Sequence, residues 1–173
     1  MERPLSILEV FLLALIERGI ASPYRLQDEG NISIGASIPA LRRLAELGLV
    51  KKGEMGARRR RDYDLTGAGR KALRAGLAGL PAVAKKPPAD LETGLRAAAL
   101  AAAAGKVEVF RNILDSASAA LRTRASHLQL DNAPDASNPA ALYRALFAFC
   151  STKTLRSQAE ALQEVQHQIH VKR

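Results

Sequence analysis

The chain has 173 residues, 47% of them hydrophobic, which is enough to bury one substantial core or two small ones and too apolar for a disordered tail. Its 26 lysines and arginines against 17 acids leave a net charge of +9, making a polyanion the natural partner. Residues 1–88 hold 16 basic and 9 acidic side chains, residues 89–173 hold 10 and 8, so the excess belongs to the N-terminal half. A lone cysteine, Cys150, excludes an internal disulfide and reads, beside Phe147, Ala148 and Phe149, as a small buried hydrophobe.

Ser6 and Glu9 stand at capping-box spacing, and Leu8, Phe11, Leu12 and Leu15 recur behind them at helical intervals. Leu5, Leu13 and Ile16 lie off that stripe, so a first helix buried on more than one side is predicted, with Gly19 as its stop. Its apolar stretch from Ile7 to Ile16 is broken by Glu9, is too short to cross a bilayer and lacks the basic start of a signal peptide. Ser22 followed by Pro23 opens a short second helix around Leu26, ended by Gly30. A third helix is expected from Ser33 to about Leu47, ended by Gly48. A helical wheel turns Ile34, Ile38, Leu41, Leu44 and Ala45 toward the core and Gly35, Ala36, Pro39, Arg43 and Glu46 outward, with Arg42 at the edge. Pro39 inside this helix removes the hydrogen bond to Gly35 and should bend the axis.

Leu49 to Glu54 and Arg59 to Leu65 then read as strands joined by a turn at Met55 to Ala57, with Tyr63 and Leu65 on the core face. Thr66 caps a fourth helix in which Ala68, Ala72, Ala75 and Leu77 or Leu80 can pack. Pro81, Lys85, Lys86, Pro87 and Pro88 mark a linker over 81–89. Alanine-rich helix follows, with Leu95, Ala98 or Ala99 and Ala102 before a stop at Gly105. Val107, Phe110, Leu114, Ala117, Leu121 and Leu128 come next at spacings of three and four, with Arg124 at an expected seam position. After a loop from Asn132 to Asn138, Pro139 opens a last helix carrying Leu142, Leu146 and Phe149, then Leu155, Leu162, Val165 and Ile169, the seam changing phase across Ser151 to Thr154. Association between two copies or packing within one chain leaves the same pattern.

Three helices, a strand, a basic turn and a returning strand are the order in which a winged helix meets nucleic acid. The expected fold is therefore mainly α: a winged helix-turn-helix domain with a two-stranded β-hairpin wing over 1–80, and a helical dimerisation region over 90–173. On the third helix the candidate contacts are Ser33, Gly35, Ala36, Pro39, Arg42 and Arg43; on the wing they are Lys51, Lys52, Arg58, Arg59, Arg60 and Arg61. Arg42 or Arg43 can offer a guanidinium fork to guanine, and Ala36 and Pro39 can touch a thymine methyl. Ser33 reads as an N-cap that leaves amides behind it for a phosphate, and the four-arginine run suits a wing along the backbone or in the minor groove. The bland alternatives are a solvated helix face and a solvated hairpin tip.

At these residues the chain resembles the PadR family of bacterial transcriptional regulators. The matching positions are Leu5-Ser6 through Leu15, Tyr24-Arg25-Leu26, Pro39-Ala40-Leu41-Arg42-Arg43-Leu44, Gly48-Leu49-Val50 and Tyr63-Asp64-Leu65-Thr66-Gly67-Ala68-Gly69, covering residues 5 to about 80. The resemblance implies an N-terminal winged helix, a C-terminal helical dimerisation region and binding of the dimer to palindromic operators. Two positions depart from the family pattern: Ile38 stands where an aromatic is usual, removing a hydroxyl that could reach a phosphate, and Pro23 stands where glycine is usual, giving a better-capped second helix.

The function expected is a homodimeric, sequence-specific DNA-binding transcriptional regulator that represses by occluding its operator; the alternative is an adaptor that binds a protein through its C-terminal helices. No enzyme, metal or cofactor is expected. His167 and His170 are three residues apart without a further ligand nearby, His127 is isolated, and Gly67-Ala68-Gly69 opens a helix rather than cradling a phosphate. The partners expected are double-stranded DNA and a second copy, with a small-molecule effector between the two halves as a hypothesis; no membrane is expected, and the setting is cytoplasmic, at the nucleoid when DNA is bound.

Overall fold

A computed structural model describes residues 4–55, 61–85, 90–127 and 139–168, and of residues 54, 55, 61, 139–147, 149, 167 and 168 the backbone alone. The elements run α1 (Ile7–Glu17), α2 (Pro23–Asp28), α3 (Ile34–Glu46), β1 (Val50–Met55), β2 (Arg61–Leu65), α4 (Gly67–Ala84), α5 (Leu91–Ala103), α6 (Val107–His127) and α7 (Pro139–Gln168). They form two compact units, one of residues 1–81 with 99–104 and one of 82–98 with 105–173. The first has the winged helix-turn-helix arrangement: three helices packed together, then an antiparallel hairpin with Val50 opposite Leu65 and Lys52 opposite Tyr63. The Tyr63 N–H donates to the Ala21 carbonyl (2.9 Å), so the segment between α1 and α2 lies along the free edge of β2.

Capping chemistry explains why the helices start where they do. Ser6 and Glu9 close a reciprocal capping box, Ser22 accepts from the Arg25 N–H with Pro23 at the first helical position, and Ser33 accepts from the Ala36 N–H. Gly48 follows α3 at φ +67°, a left-handed conformation that costs glycine nothing. The residue in that region after α2 is Asn31 rather than Gly30, whose place is set by crowding, since a Cβ there would lie 2.8 Å from Leu15. The core of this unit is Val10, Leu12, Leu13, Leu15, Ile16, Leu26, Ile32, Leu41, Leu44, Val50, Leu65, Leu73 and Leu80.

The Thr66-Gly67-Ala68-Gly69 motif is a clamp. The Thr66 N–H donates to the Leu49 carbonyl (3.1 Å), its hydroxyl reaches the Gly48 carbonyl (2.7 Å), and the same hydroxyl oxygen accepts from the Gly69 N–H (3.0 Å). Gly69 presses so closely on the chain after α3 that a Cβ would lie 2.0 Å from the Leu49 carbonyl oxygen. The start of α4 is thereby fastened to the end of α3. Pro81, expected to begin the linker, lies inside α4, which continues to Ala84; the proline falls near the helix end, where Leu80 is still buried.

In the second unit α6 packs along α7. Phe110, Ile113, Leu114, Ala117, Ser118, Leu121 and Ala125 are buried on α6, and Ala125 takes the seam position expected of Arg124, which is exposed. On α7 the buried positions are Ala148, Thr152, Ala159 and Leu162, with Leu155 half-buried. From Ala148 onward their spacing of four and three is continuous; the side chains of Leu142, Leu146 and Phe149, on which the expected phase change across Ser151 to Thr154 rests, lie outside the described residues, as do Leu128 and Ile169. The seam is narrow enough for the Ser118 hydroxyl to donate to the Ala159 carbonyl on the facing helix (3.1 Å). Cys150 is exposed and Leu95 is 44% exposed, both against expectation, because smaller neighbours, Ala148 on α7 and Ala97, Ala98 and Ala101 on α5, occupy the buried positions.

Gly69→Ala is expected to lower stability by about 3 kcal/mol, because backbone rather than a flexible side chain would have to move. Gly79→Ala, whose added methyl meets nothing within 4 Å, should raise it by up to about 1 kcal/mol. Urea unfolding of the two variants measures both.

Candidate nucleic-acid interface

The rotational setting of α3 is decided by one buried carboxylate on α1. Glu9 is only 2% exposed; its Oε2 accepts from the Ser6 backbone N–H (2.6 Å) and hydroxyl (2.9 Å), and its Oε1 accepts from Arg43 Nη1 (2.5 Å). Burial pushes this carboxyl up, yet the hydrogen bonds from Arg43 and Ser6 and the attraction of the guanidinium together outweigh it, holding the group below the ordinary glutamate value of 4.5. Arg43 keeps a quarter of its side chain accessible. The sequence wheel turned Arg43 outward, whereas in the folded unit it is turned in.

Everything else on α3 follows from that setting. Ser37, Leu41 and Leu44 face the core at 0% exposure, and the small Ser37 fits there because its hydroxyl can donate to the Ile34 carbonyl (3.4 Å). Ile34 and Ile38, expected in the core, are exposed at 42% and 43%. Ser33, Gly35, Pro39, Arg42 and Glu46 are also exposed, and Ala36 is half-buried. A Cβ on Gly35 would meet nothing within 4 Å, so among the described residues nothing packs on α3 at that point. Pro39 is accommodated within a single continuous helix, its missing N–H matched to the carbonyl of the solvent-facing Gly35.

Of the remaining candidates, Lys51 and Lys52 are exposed on β1, the strand that packs on α3. Arg61 pairs with Met55 in the hairpin, where a bulge lies between Lys52 and Met55, but its side chain is outside the described residues. Arg58, Arg59 and Arg60 are outside them altogether, as are His170 and the side chain of His167; His127 is exposed at the end of α6. The sequence reading passed over Ile34 and Ile38 as surface residues. It also passed over Arg25, whose guanidinium joins Glu29 (2.6 Å) and the Gly19 carbonyl (2.6 Å) and so ties α2 to the end of α1. A signal for the inward arginine was present in Glu9 itself, a carboxylate in an otherwise apolar stretch that needs a cation once buried. Within the same unit a cavity of about 350 Å³ is lined by Phe11, Leu15, Leu73, Leu77 and Leu100, with Glu17 and Arg18 beside them.

Arg43→Ala strands the Glu9 carboxylate and should cost about 3 kcal/mol, whereas Arg42→Ala should leave the unfolding midpoint unchanged; thermal unfolding distinguishes them. Because the pKa of Glu9 is lowered on folding, its contribution is fully present above about pH 4.5 and is lost as the pH falls through the lowered value. Stability on the acid side should therefore fall more steeply in the wild type than in Glu9→Gln, as urea unfolding at pH 3 to 6 will show.

Among solved structures, the chain is similar to PadR from Bacillus subtilis, determined in complex with operator DNA, with 16% identity over 96% of this chain and 100% of that one and a TM-score of 0.39. No protein-family model and no curated protein matches the chain.

Proposed function

We propose that the protein is a DNA-binding transcriptional regulator that acts as a homodimer, placing α3 in the major groove and its hairpin along the phosphate backbone. The observation that carries this reading is the exposed face of α3. It is a single helix face exposed among the described residues, carrying Arg42, with small or flat residues at Gly35 and Pro39, next to a strand bearing Lys51 and Lys52. Arg42 reaches base edges through its guanidinium fork, while the lysines supply affinity independent of sequence. Arg43 positions the helix through Glu9 instead of reading bases. The motif resemblance of residues 5 to about 80 supports the same function.

The α6–α7 pair of the second unit is the proposed dimerisation element. Two copies of α3 about one helical turn apart match a palindromic operator, and the bound dimer represses by excluding polymerase. The small-molecule effector, expected between the two halves, is placed in this reading at the cavity of about 350 Å³ within the first unit, testable by thermal shift with a panel of small molecules.

Selection of bound duplexes from random DNA tests the central claim. A shared palindromic motif is expected, with affinity falling about 1000-fold or more between 50 and 200 mM salt if the dimer neutralises roughly six to ten phosphates. Arg42→Ala should relax base preference at one position per half-site, and Lys51→Ala with Lys52→Ala should weaken all duplexes alike and flatten the salt dependence. Equal affinity for every duplex would contradict an operator-specific regulator.

A further inference from the structure

Four large hydrophobic side chains are exposed among the described residues, and two of them, Ile34 and Ile38, stand one turn apart on the flank of α3 between its core face and its outward face. Exposed aliphatics scattered singly need no explanation. This pair differs because the core face it borders is already complete, with Ser37, Leu41 and Leu44 fully buried, while the two isoleucines adjoin each other on the exposed side of that border. Both are β-branched and stiff at χ1, and ordering them on contact costs less conformational entropy than ordering a lysine or arginine. The face they share continues into Pro39 and Arg42, and its carboxylate, Glu46, comes a further turn along, with no acid in the first turn. An apolar first half followed by a cation, in a chain of net charge +9, complements a surface that is anionic overall and locally methylated.

The major groove of DNA has one apolar group on its base edges, the C5-methyl of thymine. The geometry points to Ile34 and Ile38 as specificity-determining residues that read thymine methyl groups, so that each half-site carries thymines opposite the first two turns of α3. This rests on the DNA-binding function proposed above and adds to it the kind of base that is read. An isoleucine has no donor or acceptor, so it distinguishes bases by the methyl alone. Arg42, one turn after Ile38, takes a neighbouring base by hydrogen bonding.

The test uses the full chain and duplexes it selects from random DNA, resynthesised with deoxyuridine in place of one thymidine at a time. Uracil pairs as thymine does and lacks only the methyl. Burying one methyl group is worth roughly fourfold in affinity. Wild type should therefore lose about fourfold at one or two thymine positions per half-site, and about tenfold or more when both halves of a symmetric site are changed. Ile34→Ala and Ile38→Ala should bind the thymine duplex more weakly and lose the preference for thymine over uracil at the position each reads. Arg42→Ala should bind more weakly with that preference intact. Both isoleucines lie at the border of the core and are less than half exposed, so their alanine variants should lower the unfolding midpoint by a few degrees and stay folded at the binding temperature, separating lost readout from lost folding. A wild type indifferent to uracil at every position, or isoleucine variants that keep the full preference, overturns the assignment while DNA binding stands. A wild type that selects no sequence at all overturns both, and the apolar face then belongs to a protein partner.

Discussion

A carboxylate buried between two helices sets the orientation of the surface this protein presents. Glu9 has two obligations: it closes the capping box at the start of α1, and it holds the guanidinium of Arg43 on α3. An ionised group at 2% exposure is tolerable only when its oxygens are satisfied, so both partners must be in place for the unit to close. Because one arginine of the adjacent pair is drawn inward, the other is turned out by the 100° that separates neighbours on a helix. The contrast between an inward Arg43 and an exposed Arg42 is thus a consequence of folding.

Much of the first unit was legible because its signals are local. Ser6 with Glu9, Ser22 with Pro23, Ser33 and Thr66 each announce a helix start by satisfying amides that the helix cannot, and Gly48 marks a stop whose backbone is left-handed. The phase of α3 was not legible from hydrophobicity. Ile34 and Ile38 are the more apolar residues, yet the small Ser37 has the core position, where its hydroxyl finds the Ile34 carbonyl. The long-range pair between residues 9 and 43 decides this, and a wheel drawn on one helix contains no information about the other.

The second unit shows the same limit in a different form. Along α6 and α7 many positions are alanine, serine or threonine, and a periodicity sought among the leucines misplaces the seam. On α6 Ala125 rather than Arg124 continues the seam, and on α7 Ala148 and Thr152 take buried positions that no leucine marks. Small residues let the backbones approach, as the Ser118 hydroxyl on the Ala159 carbonyl demonstrates. Hydrophobic size is then a poor guide to contact, because the closest contacts are made where side chains are shortest.

The clamp at Leu49 has a consequence for how such a chain can diverge. The outgoing strand begins beside Leu49, and the returning chain is fastened to that residue's carbonyl through Thr66 and pressed against it at Gly69. Both ends of the hairpin are therefore anchored at one point on the end of α3, whatever number of residues lies between them. Insertions or deletions within the hairpin leave that anchor unloaded, so its reach and charge can be varied as a detachable module without re-aiming the helix. Diversification of the two surfaces can proceed on separate schedules: the hairpin by length and composition, the helix only by side-chain exchange on a frame that is already fixed.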